Sequence, residues 1–301
     1  MSTKAILILG GSGFIGSHLA ATLNKKYKVF ATYHSHPYSV PGTTYLPFSI
    51  DNKLWIKRIL HITQPDTIIY LVGSNKREWV ETKSRLAEHL HSVGPGNLVN
   101  PSEPTQPRFI YISTPYVFDG AKGNYKEQDI LMPSTILGRI KIAGENTVRS
   151  KFLNYVIVRS SPLFGRGSGI GTTFFDRLRM SLSAGRNFEA NPNEIHSYGS
   201  VEGLSEMIHR IIDLGVRNKI LNYGGITKVS QFELARRFAT RFNFDPSLIT
   251  MKRPEGINPY EKSPILDYSL NSTPAVELLK IKPLLLEESF DLIDKNLIPT
   301  T

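Results

Sequence analysis

Apolar residues in the first half of the chain follow two alternating rhythms, and the alternation predicts a fold class. Lys4 to Gly10 is a short run of β-branched and leucine residues closed by glycine; in Phe14 to Asn24, which follows, Phe14, Ile15, Leu19 and Leu23 recur at helical spacing. That is a strand feeding a helix. Lys28 to His34 reads as a second strand, Asp51 to Ile62 as a helix, and Thr67 to Gly73 as a third strand behind the turn signal Gln64-Pro65-Asp66. Glu78 to Leu90 has the spacing of a polar amphipathic helix, and Gly94-Pro95-Gly96 and Pro101 to Pro107 read as breaks. Arg108 to Ser113 is a further buried strand, Ser134 to Arg149 a helix, and Tyr155 to Ser160 the next strand. Strands separated by helices pair in parallel and need cover on both faces, so the expected class is α/β with a Rossmann-type doubly wound parallel sheet.

Beyond Gly165 the rhythm loosens, with Gly167, Gly169 and Gly171 ahead of the helical stretch Phe174 to Ser183. Val201 to Leu214 and Gln231 to Phe242 are amphipathic helices, whereas Asp245 to Asp267 is rich in proline and polar residues and is expected to loop over a site. The predicted organisation is a nucleotide-binding domain of residues 1–165 with 196–225, and a smaller C-terminal substrate-binding lobe of residues 166–195 and 226–301. No internal repeat or low-complexity tract interrupts either part.

Composition narrows the chemistry. Hydrophobic residues make up 40% and charged residues 21% of 301, which excludes disordered and fibrous classes. The absence of cysteine removes disulfides, thiolate metal sites and thiol nucleophiles, and it fits a cytoplasmic protein. Ala5 to Leu9 is too short for a membrane span and is read as a buried strand, so no membrane partner is expected. A formal charge of +10 favours encounter with phosphates of any kind. The basic residues nevertheless fall in small groups, Lys25, Lys26 and Lys28 or Arg236, Arg237 and Arg241, without a stripe of interleaved aromatics. Nucleotides are therefore the expected anions, and nucleic acid is not.

Gly10-Gly11-Ser12-Gly13-Phe14-Ile15-Gly16 sets glycines between the first strand and the first helix. In that place a chain can turn sharply, bring its backbone close to a pyrophosphate and present the free N–H groups and positive dipole end of a helix. Gly10, Gly13, Phe14, Ile15 and Gly16 are thus candidate dinucleotide contacts. An NAD-selective site usually closes its second strand with Asp or Glu to hold the ribose hydroxyls. Thr32-Tyr33-His34-Ser35-His36 contains neither, so His34 and Ser35 are candidate partners of a 2′-phosphate. NADP is favoured, and a site tolerant of NAD as well stays open. His34 and His36 are not expected to hold a metal.

Farther along, Ile112-Ser113-Thr114-Pro115-Tyr116-Val117-Phe118-Asp119-Gly120, then Gly123, Tyr125, Glu127, Asp129 and Pro133, then Leu137-Gly138-Arg139-Ile140-Lys141-Ile142-Ala143-Gly144-Glu145 follow one another. With Arg159 to Gly165, these stretches resemble the extended short-chain dehydrogenase/reductase family, in the RmlD-like branch that contains dTDP-4-dehydrorhamnose reductase. The resemblance implies NADPH-dependent reduction of a 4-keto nucleotide sugar, with a hydroxyl holding the substrate carbonyl, a tyrosine giving it a proton, and a lysine binding the nicotinamide ribose. Carried over, Thr114 is the hydroxyl and Lys141 the lysine, while Leu137 occupies the tyrosine position. Val72 and Gly73 stand at the nicotinamide end, where the family commonly has an Asn-Ala-Gly run, and Ser92 where an asparagine often supports the site.

A leucine has no proton to give. Tyr116, Tyr125 and a bound water are the candidate relocated donors, with Tyr116 read first as a packing residue. Two functions remain side by side: a reductase of a keto-sugar nucleotide, and a non-catalytic NADP-binding subunit, since the resemblance extends to the regulatory β subunit of methionine adenosyltransferase. An epimerase or dehydratase needs the tyrosine even more and is disfavoured. In the lobe, Arg166, Arg177, Arg179 and Arg186 are candidate phosphate contacts, Tyr198 and Tyr260 candidate stacking residues, and the family habit of helix pairing admits a homodimer.

Overall fold

The computed structural model describes residues 3–99, 106–167, 173–252 and 264–295. Seven strands form the central sheet: β1 (Ala5–Leu9), β2 (Lys28–Tyr33), β3 (Thr43–Pro47), β4 (Thr67–Tyr70), β5 (Arg108–Ser113), β6 (Tyr155–Ser160) and, far along the chain, β11 (Lys219–Tyr223). Their spatial order is β3-β2-β1-β4-β5-β6-β11, every neighbouring pair parallel. The order reverses between β1 and β4, and a doubly wound sheet opens its ligand crevice at such a point, beyond the carboxyl ends of the strands.

Alternation along each strand sends successive side chains into two cores. Ile6 and Ile8 join Leu19, Leu23, Leu204 and Met207 on one face; Leu7 and Leu9 join Ile56, Ile59, Val148 and Phe152 on the other. The first face is covered by α1 (Phe14–Leu23), α8 (Val201–Asp213) and α10 (Thr273–Leu279), the second by α2 (Lys53–Thr63) and α6 (Ile136–Lys151). The remaining strands are short: β7 (Leu163–Phe164) with β10 (Gly199–Ser200), β8 (Phe188–Ala190) with β13 (Ile249–Met251), and β12 (Val229–Ser230) with β9 (Glu194–His196) and β14 (Leu266–Asp267). A separate core of Phe164, Phe175, Leu178, Phe238 and Phe290 gathers α7 (Phe174–Ser183), α9 (Gln231–Arg241) and α11 (Leu286–Lys295). Among the described residues no helix is long and apolar enough to cross a membrane.

Two local expectations fail. The strand foreseen for Thr67 to Gly73 stops at Tyr70, and Gly94-Pro95-Gly96 does not break the helix before it. After α3 (Arg77–Thr82) and α4 (Ser84–Glu88), the backbone widens into a π turn over His89–Val93 and continues as α5 (Gly94–Gly96). Pro95 has no N–H to offer the carbonyls one turn back. Tyrosines of the sheet supply the missing donors: Tyr70 Oη donates to Leu90 O at 2.6 Å and Tyr111 Oη to His91 O at 2.8 Å. Most of the break foreseen at Pro101 to Pro107 lies outside the described residues, as do Gly169, Gly171 and Tyr260.

Candidate functional site

Beyond β1 the chain turns at Gly10, whose φ of +83° is strained for any residue with a Cβ. The Gly10 N–H donates to Thr32 Oγ1 at 3.0 Å, Ser12 N–H to Thr32 O at 3.1 Å and Gly13 N–H to Gly10 O at 3.2 Å. The turn is therefore tied to β2. Gly13 caps α1 without a side-chain bond, and no acid lies in the first helical turn to neutralise the dipole. A Cβ on Gly16 would press on Gly10 O and lie 2.6 Å from Gly11 Cα, so this glycine serves helix-to-turn packing. A Cβ on Gly13 would meet only Gly10 O, at 3.4 Å. The protein's own packing does not require glycine there. Phe14 and Ile15 are half-buried beside it, and His34 and Ser35 are exposed just past β2. Ser35 Oγ lies 3.0 Å from His36 Nδ1, and no group of three or more His, Cys, Asp or Glu able to hold a metal occurs among the described residues.

At the other end of the crevice, Thr114 follows β5 and caps a short 3₁₀ turn over Pro115–Val117, its Oγ1 accepting from Tyr116 N–H at 3.5 Å. Lys141 projects from α6 toward the same strand end, where its Nζ donates to Ile112 O at 2.9 Å. Burial pulls the Lys141 pKa down to about 7, against the opposing pull of Glu145. Leu137, one helical turn earlier, is 1% exposed and packs with Val80, Ala87 and Ile140 against Trp79 and Tyr116. α6 is fixed from behind by a buried bidentate pair, with Glu145 accepting from Arg159 Nε at 3.0 Å and Nη2 at 2.7 Å and from Ser113 Oγ at 2.6 Å.

The π turn delivers a residue that sequence reasoning missed. Ser92 stands where the family's supporting asparagine is lost, and it is the ring of the neighbouring His91 that lies against Gly73, 2.6 Å from where a Cβ would stand. His91 Nε2 is 3.0 Å from Ser74 O; a carbonyl only accepts, so Nε2 carries the hydrogen and Nδ1 is a bare, buried acceptor without a partner. Burial, and then the Lys141 charge, lowers the His91 pKa to about 3, so the ring is neutral at physiological pH. Val72 is half-buried and Gly73 exposed beside it. The signal in the chain was a histidine next to Ser92.

Tyr116 is a packing residue with an engaged hydroxyl. It donates to Glu194 Oε2 at 3.3 Å, and Glu194 pairs with Arg77 at 2.6 Å, so β9 is bound to α3 across the end of β5. Tyr125 stacks on Phe118 at 4.2 Å and its hydroxyl bonds Asp119. Of the lobe candidates, Tyr198 is buried against His196 at 5.5 Å, Arg166 is half-buried, and Arg177, Arg179 and Arg186 are exposed. A cavity of about 380 Å³ lies elsewhere, between α8, β11 and α10, and holds none of the predicted site residues.

The sequence profile of the RmlD substrate binding domain matches residues 4–266. The chain belongs to this RmlD family. It is 26% identical over 262 residues to methionine adenosyltransferase 2 subunit beta of Rattus norvegicus, covering 81% of this chain and 74% of the relative. To dTDP-4-dehydrorhamnose reductase of Mycobacterium tuberculosis it is 25% identical over 253 residues, covering 82% and 78%. The fold matches the crystal structure of dTDP-4-dehydrorhamnose reductase from Bacillus anthracis in complex with NADP, with a TM-score of 0.82 at 22% identity over 98% of this chain and 99% of that one. RmlD relatives thus include both an enzyme and a subunit of another enzyme.

Proposed function

We infer that this RmlD-family chain binds NADP across the β1–β4 crevice, and that the family's reduction of a 4-keto nucleotide sugar runs here without a tyrosine acid. The observation that supports the first half is the Gly13 turn: a helix start without a side-chain cap and an exposed face that leaves room for a ligand against the backbone. Thr114 and Lys141, both at the carboxyl end of β5, suit a substrate carbonyl and a nicotinamide ribose. With Leu137 in place of the acid, reduction is slower by on the order of a hundred- to ten-thousand-fold than with a positioned donor. Domain boundaries follow this reading, with residues 1–165 and 196–225 for the cofactor and the rest for the sugar nucleotide. NAD binds more weakly, because His34 and Ser35 present no carboxylate to its ribose.

The non-catalytic reading has its own support in the burial of Leu137 within an apolar cluster and in the engagement of Tyr116 by Glu194. Titration calorimetry with NADP and NAD tests the shared half. His34→Asp is expected to weaken NADP at least about tenfold while leaving NAD unchanged or tighter, because a new carboxylate repels the 2′-phosphate. Equal losses for both cofactors, or no binding of either by the wild type, overturn the assignment.

A further inference from the structure

His18 lies on α1 one turn behind the glycine turn, buried, and its ring joins three elements. Its Nε2 is 2.9 Å from the carbonyl oxygen of Arg166, in the segment after β7. Its Nδ1 is 3.6 Å from Glu202 Oε1, in the first turn of α8. On α1 itself the Phe14 ring meets it edge-on at 5.6 Å. Phe14 in turn packs where a Cβ on Gly165 would lie 3.4 Å from its ring and 2.5 Å from Val201 Cγ1. The start of the phosphate-facing helix, the exit of β7 and the start of α8 therefore share one joint.

The hydrogen count of this joint is constrained. The Arg166 carbonyl only accepts, so Nε2 carries a hydrogen. Nδ1 then faces a carboxylate whose two oxygens are buried and have no hydrogen-bond partner. One proton between Nδ1 and Oε1, on the imidazolium or on the carboxyl, makes the contact attractive. With none, a lone pair faces a buried anion, which is unfavourable in a poorly solvated place. Burial raises the Glu202 carboxyl above the usual range, with His18 opposing, which is the behaviour of a site that keeps its proton.

We propose that His18 and Glu202 are positioning residues that share one proton, and that this proton sets how firmly α1 holds a phosphate-bearing ligand. The inference rests on the dinucleotide reading, and both residues act through α1. The other ionisable groups around the joint are the Arg166 side chain after β7, Glu206 on α8 with His209 3.6 Å away, and Tyr223 on β11, whose hydroxyl donates to Ser200 O at 2.7 Å. Lys280 and Lys282 border the cavity beside Glu202, Lys282 being paired with Glu288 at 2.7 Å. None of these stands between Nδ1 and Oε1.

NADP affinity is to be measured by calorimetry from about pH 5 to about pH 9, the span in which imidazole groups titrate, in wild type and in His18→Gln, whose amide can still donate to Arg166 O. Wild-type affinity is expected to fall at least about tenfold as the shared proton leaves, over and above any change seen in the variant; parallel profiles overturn the proposal. An independent readout is the Glu202 carboxyl titration followed by NMR without ligand, in wild type and His18→Gln. The wild-type carboxyl is expected to lose its proton at lower pH than in the variant, because His18 opposes the rise that burial causes, and coincident titrations overturn the joint whether or not a dinucleotide binds. Wild type that binds no dinucleotide at any pH removes the coupling together with the function reading, and the NMR comparison then tells which part of the argument was at fault.

Discussion

Replacing Leu137 by tyrosine restores the one group the family's chemistry asks for, and two opposing magnitudes decide the outcome. The side chain is 1% exposed among Val80, Ala87, Ile140, Trp79 and Tyr116, so the larger ring overpacks the cluster at about 1–3 kcal/mol. An unpartnered hydroxyl adds about 1–3 kcal/mol unless it turns toward Thr114 and Lys141. A domain stable by about 5–15 kcal/mol stays folded under either penalty. A positioned acid gains on the order of a hundred- to ten-thousand-fold, which is about 3–5 kcal/mol of barrier at 1.36 kcal/mol per tenfold. The assay follows NADPH absorbance with a panel of 4-keto nucleotide sugars, alongside urea unfolding to confirm that the variant is folded. Leu137→Tyr is expected to turn over at least about a hundredfold faster than wild type. If wild type already reacts rapidly and the variant is no faster, leucine does not block proton delivery. If the folded variant binds NADPH and stays inert, the compartment is disabled by more than the missing hydroxyl, and the subunit reading takes its place.

Two glycines separate ligand binding from folding: Gly13→Ala is expected to change stability by no more than about 1 kcal/mol yet weaken NADP more than about tenfold by calorimetry, whereas Gly16→Ala, pressed against Gly10 and Gly11, destabilises the fold by about 1–3 kcal/mol in urea. Glu145→Gln leaves Arg159 buried without its charge partner and is expected to lower unfolding free energy by about 3–5 kcal/mol, which the same urea series reads. Lys141 titrates near 7 in the folded chain and near 10.4 when unfolded, so between those values the unfolded chain holds more protons and wild-type stability rises with pH, while below about 7 the penalty is constant. Lys141→Met removes that contribution, so the variant's stability relative to wild type is expected to be greatest at pH 7 and to shrink toward pH 10, with NADP bound more weakly throughout; a difference independent of pH counts against a buried, easily deprotonated lysine.

Local order was legible wherever neighbours in sequence are also neighbours in space. β1, the glycine turn and α1 announce themselves because each needs only its own residues: an apolar run, a sharp bend and a helical stripe. The parallel sheet follows from strands that alternate with helices, and the cores on its two faces repeat the alternation of Ile6, Leu7, Ile8 and Leu9. β3 escaped notice because Thr43–Pro47 is an edge strand in which no residue is fully buried, so hydrophobicity carries little information there. The helix through Gly94-Pro95-Gly96 was not readable at all. Its freed carbonyls are satisfied by Tyr70 and Tyr111, more than 15 residues away in the chain, and local propensity has no knowledge of such donors. The same applies to the site. Thr114, Leu137 and Lys141 were picked out by the family resemblance of the stretches they lie in, but the lowering of the Lys141 pKa, the arrival of His91 beside Gly73 and the bond from Tyr116 to Glu194 of β9 arise from burial and from contacts between distant segments. Sequence determined which groups this protein can bring to a dinucleotide; tertiary packing alone decided which of them are charged, which are covered and which still face the crevice.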